Sequence, residues 1–347
     1  MVERIEGSDI ICKVVKGGIL RDRKGINVPG LVTNLPSLTE KDIKDIKDGI
    51  AVGFDYIAAS FVRKAQDVLD IKRLLEENNG NYIKVISKIE NREGIDNFDE
   101  ILAVSDGIMV ARGDLSVEIP MEEVPIIQKQ IIKKCDKAGI PVITATQMME
   151  SMMTNPKPTR AEVSDVANSV FDMTSSIMLS GESAMGEYPV ECVKTMDRIA
   201  YTIERSINYW GRFRKREVSF AESNYEYNIN YSTCFAAMNM GASAIFTYTE
   251  KGDTPRIVSS FSPNCPVYAI TTEEMNYRQL ALVWGVFPML LEHKASIEDL
   301  LIEGIKQTKN KEELKDGDIV VIAGGSCIVS DSNCFSVNKV MGGVLKV

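Results

Sequence analysis

Short apolar runs recur along the first two thirds of the chain, with amphipathic stretches between them. The runs fall at 56–61, 83–89, 107–111, 141–146 and 177–180. Short apolar runs of this length predict buried strands. Helical periodicity marks 65–75 and 124–138, where Ile127, Ile131 and Ile132 share one side. Thr39-Glu40-Lys41-Asp42 and Thr159-Arg160-Ala161-Glu162 open two further helices with capping-box spacing. A long helix is expected over 190–210. Strand and helix alternate with a period of roughly thirty residues, which predicts about five βα units, as in a parallel sheet or a (β/α)8 barrel.

The flanks read differently. Residues 10–15 run into Gly17-Gly18 and then Ile19-Leu20, a hairpin pattern. Asn27-Val28-Pro29-Gly30 breaks it, and so short a β segment reads as the tail of something larger. Residues 211–228 are polar and read as a linker, with Arg212, Arg214, Lys215 and Arg216 on a solvated face. Strands are expected again near 244–247, 267–270 and 319–322, with helices between them. The predicted fold class is therefore α/β: a partial TIM (β/α)8 barrel, then an α/β domain with a mostly parallel sheet. The expected divisions are 1–30, 31–211 and 227–347.

Charge and composition narrow the chemistry. The chain has 347 residues, 44% of them hydrophobic, and 40 basic against 49 acidic side chains give a formal charge of -9. An acidic chain disfavours nucleic acid as a partner. The seven cysteines are scattered with no C-x-x-C pair, which argues against a disulfide framework or zinc site and for a cytoplasmic location. Nothing in Met1-Val2-Glu3-Arg4 suggests a signal peptide, and no apolar run is long enough to span a bilayer. His293 is the sole histidine, so His-based triads and multi-His metal sites are excluded for this chain. Catalysis must rest on Lys, carboxylates, hydroxyls and backbone.

Function in βα architectures sits at the C-terminal ends of strands. Lys88 and Glu90, two apart in Ser87-Lys88-Ile89-Glu90-Asn91, share one face of their strand. The next run ends in Ala111-Arg112-Gly113-Asp114, the following one in Thr144-Ala145-Thr146-Gln147, and the last in Ser180-Gly181-Glu182. Mg2+ takes oxygen ligands, often one or two carboxylates plus substrate oxygens and water, and Glu90 and Asp114 fit that need. Lys88 adds a point cation, Gly113 an approachable backbone N–H, and Thr146 a hydroxyl donor. Taken singly, a Lys-x-Glu pair is usually a surface ion pair, Gly-Asp a turn and Ser-Gly-Glu a helix start. Their joint placement at successive strand ends points to a Mg2+-dependent βα enzyme acting on a small acid or phosphate.

The strings are more specific than the spacing. The stretch 83–95, Ile-Lys-Val-Ile-Ser-Lys-Ile-Glu-Asn-Arg-Glu-Gly-Ile, closely resembles the pyruvate kinase signature. So do 105–115, 145–152, 158–162, 177–182 and, near the C-terminus, 278–286. Residues 24–30 are similar to that family's return from lid domain to barrel, which makes 1–30 a lid remnant. The resemblance implies phosphoryl transfer from phosphoenolpyruvate to ADP, giving pyruvate and ATP, with Mg2+ or Mn2+ and K+. It implies that Lys88 stabilises the transferring phosphoryl group and the enolate. Glu90 and Asp114 would hold the metal, and Ala111, Arg112, Gly113, Asp114 and Thr146 the substrate. Ser180 and Glu182 would orient the proton path.

The resemblance also implies a homotetramer, while the acidic charge and the lack of a spanning apolar run argue against a nucleic-acid or membrane partner. It places much of the K+ site on barrel strands this chain is expected to lack. The chain is accordingly expected to be inactive alone or to need an N-terminal partner. Ser116, Met173 and Ser175 depart from the family pattern, as does Lys251 in Thr249-Glu250-Lys251-Gly252. Glu250 there argues against control by a sugar bisphosphate, because an acidic group repels phosphate. A non-catalytic subunit that keeps the fold is the competing reading. A Mg2+-dependent lyase on 2-oxo acids is a third, opposed by the Ser-Lys-Ile-Glu and Ala-Thr-Gln-Met strings.

Overall fold

The five apolar runs become five parallel strands: β3 Tyr56–Ala59, β4 Lys84–Ile89, β5 Gly107–Ala111, β6 Val142–Ala145 and β7 Ser176–Met178. A computed structural model describes residues 1–19, 28, 36–216, 225–323, 335–341 and 344–346. They divide into two units, Met1–Leu31 and Val32–Val347.

In the first unit, β1 Val2–Glu6 pairs antiparallel with β2 Asp9–Cys12. The hairpin thus lies earlier than the sequence predicts. Its turn is at Gly7, whose φ of 64° suits a residue without Cβ, and residues 10–12 form the return arm rather than the outward one. The 24–30 string lies outside the described residues except for Val28.

In the second unit, the strands stand in the order β3-β4-β5-β6-β7, each parallel to its neighbour. Among the described residues β3 and β7 each pair on one side only. Both capping boxes form: Thr39 with Asp42 starts the helix Glu40–Val52, and Thr159 with Glu162 starts Arg160–Phe171. Helices Ala65–Glu77 and Val124–Ala138 cover one face of the sheet. Val85, Ile89, Ile108 and Val110 pack there against Ile71, Leu75, Ile131 and Ile132. Strand alternation sends Ile86, Met109 and Ile143 to the opposite face, where they form a separate apolar cluster. Lys88 and Glu90 belong to that second face, toward the C-terminal ends.

The helix expected over 190–210 is broken. Pro189–Glu204 ends, and Asn208 starts the short helix Tyr209–Arg214 by accepting the Gly211 N–H at 2.8 Å. The expected linker is likewise helical at both ends, since Tyr225–Met240 follows, and 217–224 lie outside the described residues. Its arginines are not all solvated. Arg216 donates to the Ser260 and Asp136 carbonyls and stands 5.4 Å from the Phe261 ring centre, and Arg212 donates to the Phe171 carbonyl. A buried Phe261 face and accessible carbonyl acceptors make these positions favourable for guanidinium.

The C-terminal sheet contains β8 Ala244–Tyr248, β9 Val267–Thr271, β10 Val286–Leu290, β11 Ile319–Ala323, β12 Phe335–Met341 and β13 Val344–Lys346. Their order is β10-β9-β8-β11-β12-β13; the first four are parallel, and β12 pairs antiparallel with both β11 and β13. The helix Glu274–Leu280 fastens this part to the N-terminal ends of β3 and β4. Arg278 forks onto Asp55 at 2.7 and 3.1 Å, Gln279 donates to the Asp55 and Tyr82 carbonyls, and the Tyr56 hydroxyl donates to the Gln279 carbonyl. No helix of the described residues is long and apolar enough to cross a membrane.

Candidate active site

Alternation puts Lys88 and Glu90 on one face of β4, and the structure pairs them directly. Lys88 Nζ donates to Glu90 Oε1 at 2.7 Å and to Ser60 Oγ at 2.8 Å. Glu90 is 1% exposed, and its second oxygen accepts the Phe61 N–H at 2.6 Å. A carboxylate this buried is tolerable because a cation and a backbone donor replace its water. Glu90 thereby ties the end of β3 to the end of β4. Phe61, just beyond β3, has a φ of 55°, and its N–H is turned to the carboxylate. Ser60 and this N–H were not among the residues expected from sequence. Ser60 follows directly on β3 near the end of the 56–61 run, so the strand-end rule reaches it; a backbone donor leaves no residue-type signal.

At the end of β5 the chain passes without a loop into the helix Arg112–Glu118. Asp114 therefore lies in a first helical turn, where an acidic group is favoured, rather than on the strand itself. The Gly113 N–H donates to Thr146 Oγ1 at 2.7 Å, and that hydroxyl donates to the Ala145 carbonyl at 2.6 Å. A Cβ on Gly113 would stand 3.3 Å from Thr146 Oγ1, so glycine sets this close approach. Ser116 Oγ donates to the Gly113 carbonyl at 2.7 Å, so this departure from the family pattern bonds directly to the glycine turn.

The Arg112 side chain faces inward. Its Nε donates to the Ala145 carbonyl, one terminal nitrogen to both Asp165 oxygens, and the other to the Thr146 carbonyl and the Met148 sulfur. With the guanidinium so engaged, what Arg112 and the buried Ala111 can offer a substrate is backbone. Asp165, mid-way along the helix Arg160–Phe171, was not expected from sequence and carries no local signal there.

Glu182 is 3% exposed and accepts the Met149 N–H at 3.1 Å and the Ser180 N–H at 2.8 Å. It joins the turn after β6 to the segment after β7. Ser180 sits at the start of the short helix Gly181–Ala184. The direct contacts thus form three groups: Lys88–Glu90–Ser60, Gly113–Thr146–Arg112–Asp165, and Glu182–Met149–Ser180.

Glu162 supports the same turn, accepting the Ser151 N–H at 2.7 Å and hydroxyl at 2.5 Å besides capping its own helix. Burial pushes its carboxyl up, but hydrogen bonds from Ser151 and Thr159 outweigh that and hold it below its ordinary value of 4.5. A carboxyl held low in the fold contributes stability above its unfolded pKa and loses it as pH falls through the folded value. Glu162→Gln is therefore expected to lower the melting temperature near neutral pH, with the gap to the parent closing below about pH 4.5. Thermal melts of both proteins across that range check this; a gap independent of pH would contradict it.

No group of three His, Cys, Asp or Glu side chains among the described residues could hold a metal alone. Glu90 and Asp114 are hard oxygen donors on neighbouring strand ends, and the bound lone pairs leave Glu90 further acceptor capacity. That set fits a divalent cation that draws its other ligands from substrate and water, as Mg2+ does.

Comparison with known proteins gives two family matches, described as pyruvate kinase, barrel domain, over residues 1–193 and pyruvate kinase, alpha/beta domain, over 228–337. The chain is 51% identical to a pyruvate kinase of Sporosarcina psychrophila over 314 residues, which is 90% of this chain and 53% of that protein. It is 49% identical to one of Clostridium acetobutylicum, covering 93% of this chain and 68% of the relative. A Clostridium perfringens pyruvate kinase is 44% identical over 98% of this chain and 72% of its own length. The chain thus spans about half the length of the Sporosarcina relative.

Proposed function

Because this chain belongs to the pyruvate kinase family, we propose that its strand-end groups form a site for phosphoryl transfer from phosphoenolpyruvate to ADP, giving pyruvate and ATP. The observation that carries this reading is Lys88 Nζ held between Glu90 and Ser60 at the end of β4. A cation held there would face phosphoryl and enolate charge as it develops, and fixed charge is what phosphoryl transfer needs most. Glu90 and Asp114 would hold Mg2+ or Mn2+. A bound divalent ion supplies Lewis-acid charge to substrate oxygens. The backbone of residues 111–114 and the Thr146 hydroxyl grip the substrate carboxylate. Glu182 keeps Met149 and Ser180 in place beside the path by which water delivers a proton to the enolate.

The wider reading assigns K+ as a second cation, a cytoplasmic location and a homotetramer. It takes 1–30 as a lid remnant, 31–211 as the barrel part and 227–347 as the C-terminal domain. The one-sided pairing of β3 and β7 among the described residues favours a second reading, a non-catalytic subunit that keeps the fold. A parallel edge can take a further strand, so such a subunit would bind substrate without turnover while its edges stay unpaired.

The purified 347-residue chain, assayed for pyruvate formation from phosphoenolpyruvate with ADP and Mg2+, with and without K+, separates the two. Steady turnover supports the first reading. Mg2+-dependent substrate binding without turnover supports the second. Neither turnover nor binding overturns both.

A further inference from the structure

We propose that Asp165 is a positioning residue for the substrate-gripping turn. Its carboxylate locks Arg112, and Arg112 holds the backbone at 145–147 in the conformation that puts the Thr146 hydroxyl on the Gly113 amide. The proposal deepens the phosphoenolpyruvate reading and rests on it for its functional consequence.

The geometry begins with an unusual backbone. Thr146 and Gln147 have φ values of 67° and 54°, two consecutive left-handed residues of which neither is glycine. For a β-branched threonine that region is a genuine outlier. Such backbone persists only where its surroundings over-determine it. Here the surroundings are the Arg112 fork, at 3.3 Å from the Ala145 carbonyl and 2.6 Å from the Thr146 carbonyl. Two successive carbonyls are gripped by one planar group, one just before the strained pair and one within it. Met148 Sδ takes a further N–H at 3.2 Å.

A guanidinium grips two carbonyls at once only if its own plane is fixed. Asp165 fixes it with two bonds to one terminal nitrogen, at 2.7 and 2.6 Å. The Arg112 side chain is 9% exposed and the Asp165 side chain 37%, so Asp165 anchors the buried fork from the solvent side. The two side chains come from different elements, since Arg112 opens the helix after β5 and Asp165 lies in the helix Arg160–Phe171. That same helix also holds Ser151 through Glu162, and Glu182 holds the Met149 amide between the two attachments. The segment from Thr146 to Ser151 is thus pinned at three places. The Asp165–Arg112 attachment is the one that reaches Thr146.

An ordinary buried ion pair would stabilise the fold without setting the Thr146 hydroxyl, and the two cases differ in what they move. In Asp165→Asn the charge is lost and the shape kept. Exchange of the Gly113 amide hydrogen, which donates to Thr146 Oγ1, is expected to rise about tenfold or more while the amides of β4 and β5 stay protected. Mg2+-dependent phosphoenolpyruvate binding is expected to weaken about five- to tenfold. The same substitution on a Thr146→Val background should cost no further affinity, because the group it positions is already gone. Asp165→Glu should restore part of the protection at Gly113, and it provides the measurement if Asp165→Asn does not fold. Unchanged Gly113 exchange, or independent additive losses in the two backgrounds, would overturn the proposal. If the unsubstituted chain binds no phosphoenolpyruvate, the functional reading fails, and Gly113 exchange still decides whether Asp165 positions the turn.

Discussion

Lys88→Met is expected to abolish measurable Mg2+-dependent phosphoenolpyruvate binding and to destabilise the chain at once. The substitution keeps the length of the side chain and removes its charge. Glu90, 1% exposed, would keep the Phe61 N–H but lose its cation. Leaving one charge of a buried pair uncompensated costs about 3–5 kcal/mol, and the remaining N–H and the 22% exposure of the Lys88 side chain bring the expected loss to about 2–4 kcal/mol. Where turnover is measured, loss of one fixed group facing developing charge is expected to lower kcat by roughly 10²–10³. Lys88→Arg separates the effects. It keeps the charge and most of the stability, but a planar fork does not reproduce an ammonium point charge between Ser60 and Glu90. Urea unfolding and substrate titration on the same three proteins check this. A Lys88→Met protein that binds substrate like the parent would contradict it.

Glu90→Gln is expected to remove the Mg2+ dependence of substrate binding altogether. The amide matches the carboxylate in shape but not in its bonds. Both Glu90 oxygens now accept, one from Lys88 and one from Phe61. A glutamine has one acceptor oxygen and would turn its NH2 toward a second donor. The tie between the ends of β3 and β4 would loosen, at an expected cost of about 2–4 kcal/mol. Asp114→Asn offers the contrast. Asp114 is half-buried in a first helical turn and is not part of the Lys88 pair, so it is expected to lose the metal dependence with a smaller loss of stability. Equal Mg2+ dependence in Glu90→Gln and the parent would contradict the assignment.

What was legible in the sequence follows from burial. The strands β4, β5 and β6 are largely buried and read as continuous apolar runs; β3 and β7 are only partly buried but keep apolar runs, and all five stand within a few residues of the expected positions. In the C-terminal sheet β8, β9 and β11 were legible for the same reason. β10 was not. It is an edge strand with Pro288 inside it and Phe287 and Leu290 exposed, and edges tolerate both features. The first hairpin was misplaced because Val2–Glu6 is wholly exposed and mostly charged, with no apolar alternation to mark it as a strand, while Gly17-Gly18 looked like the stronger turn. The single long helix over 190–210 failed at Asn208, a capping residue hidden inside an apolar periodicity.

The site divides in the same way. Period two was enough to put Lys88 beside Glu90. It could not show that the Phe61 amide completes the Glu90 shell, because backbone donors have no residue type. Arg112 looked like a substrate ligand from its string, yet its guanidinium turns into the protein to hold two carbonyls. Thr146 was legible as a strand-end hydroxyl, but not its left-handed backbone, which a threonine in isolation disfavours and which only the tertiary brace explains.

The central claim is that the ends of β4, β5 and β6 hold phosphoenolpyruvate together with a divalent cation. Calorimetric titration of the chain with phosphoenolpyruvate, with and without Mg2+, tests it most directly. The account predicts saturable binding that requires Mg2+ and disappears in Lys88→Met. No binding under either condition, or binding indifferent to both Mg2+ and Lys88, would contradict it.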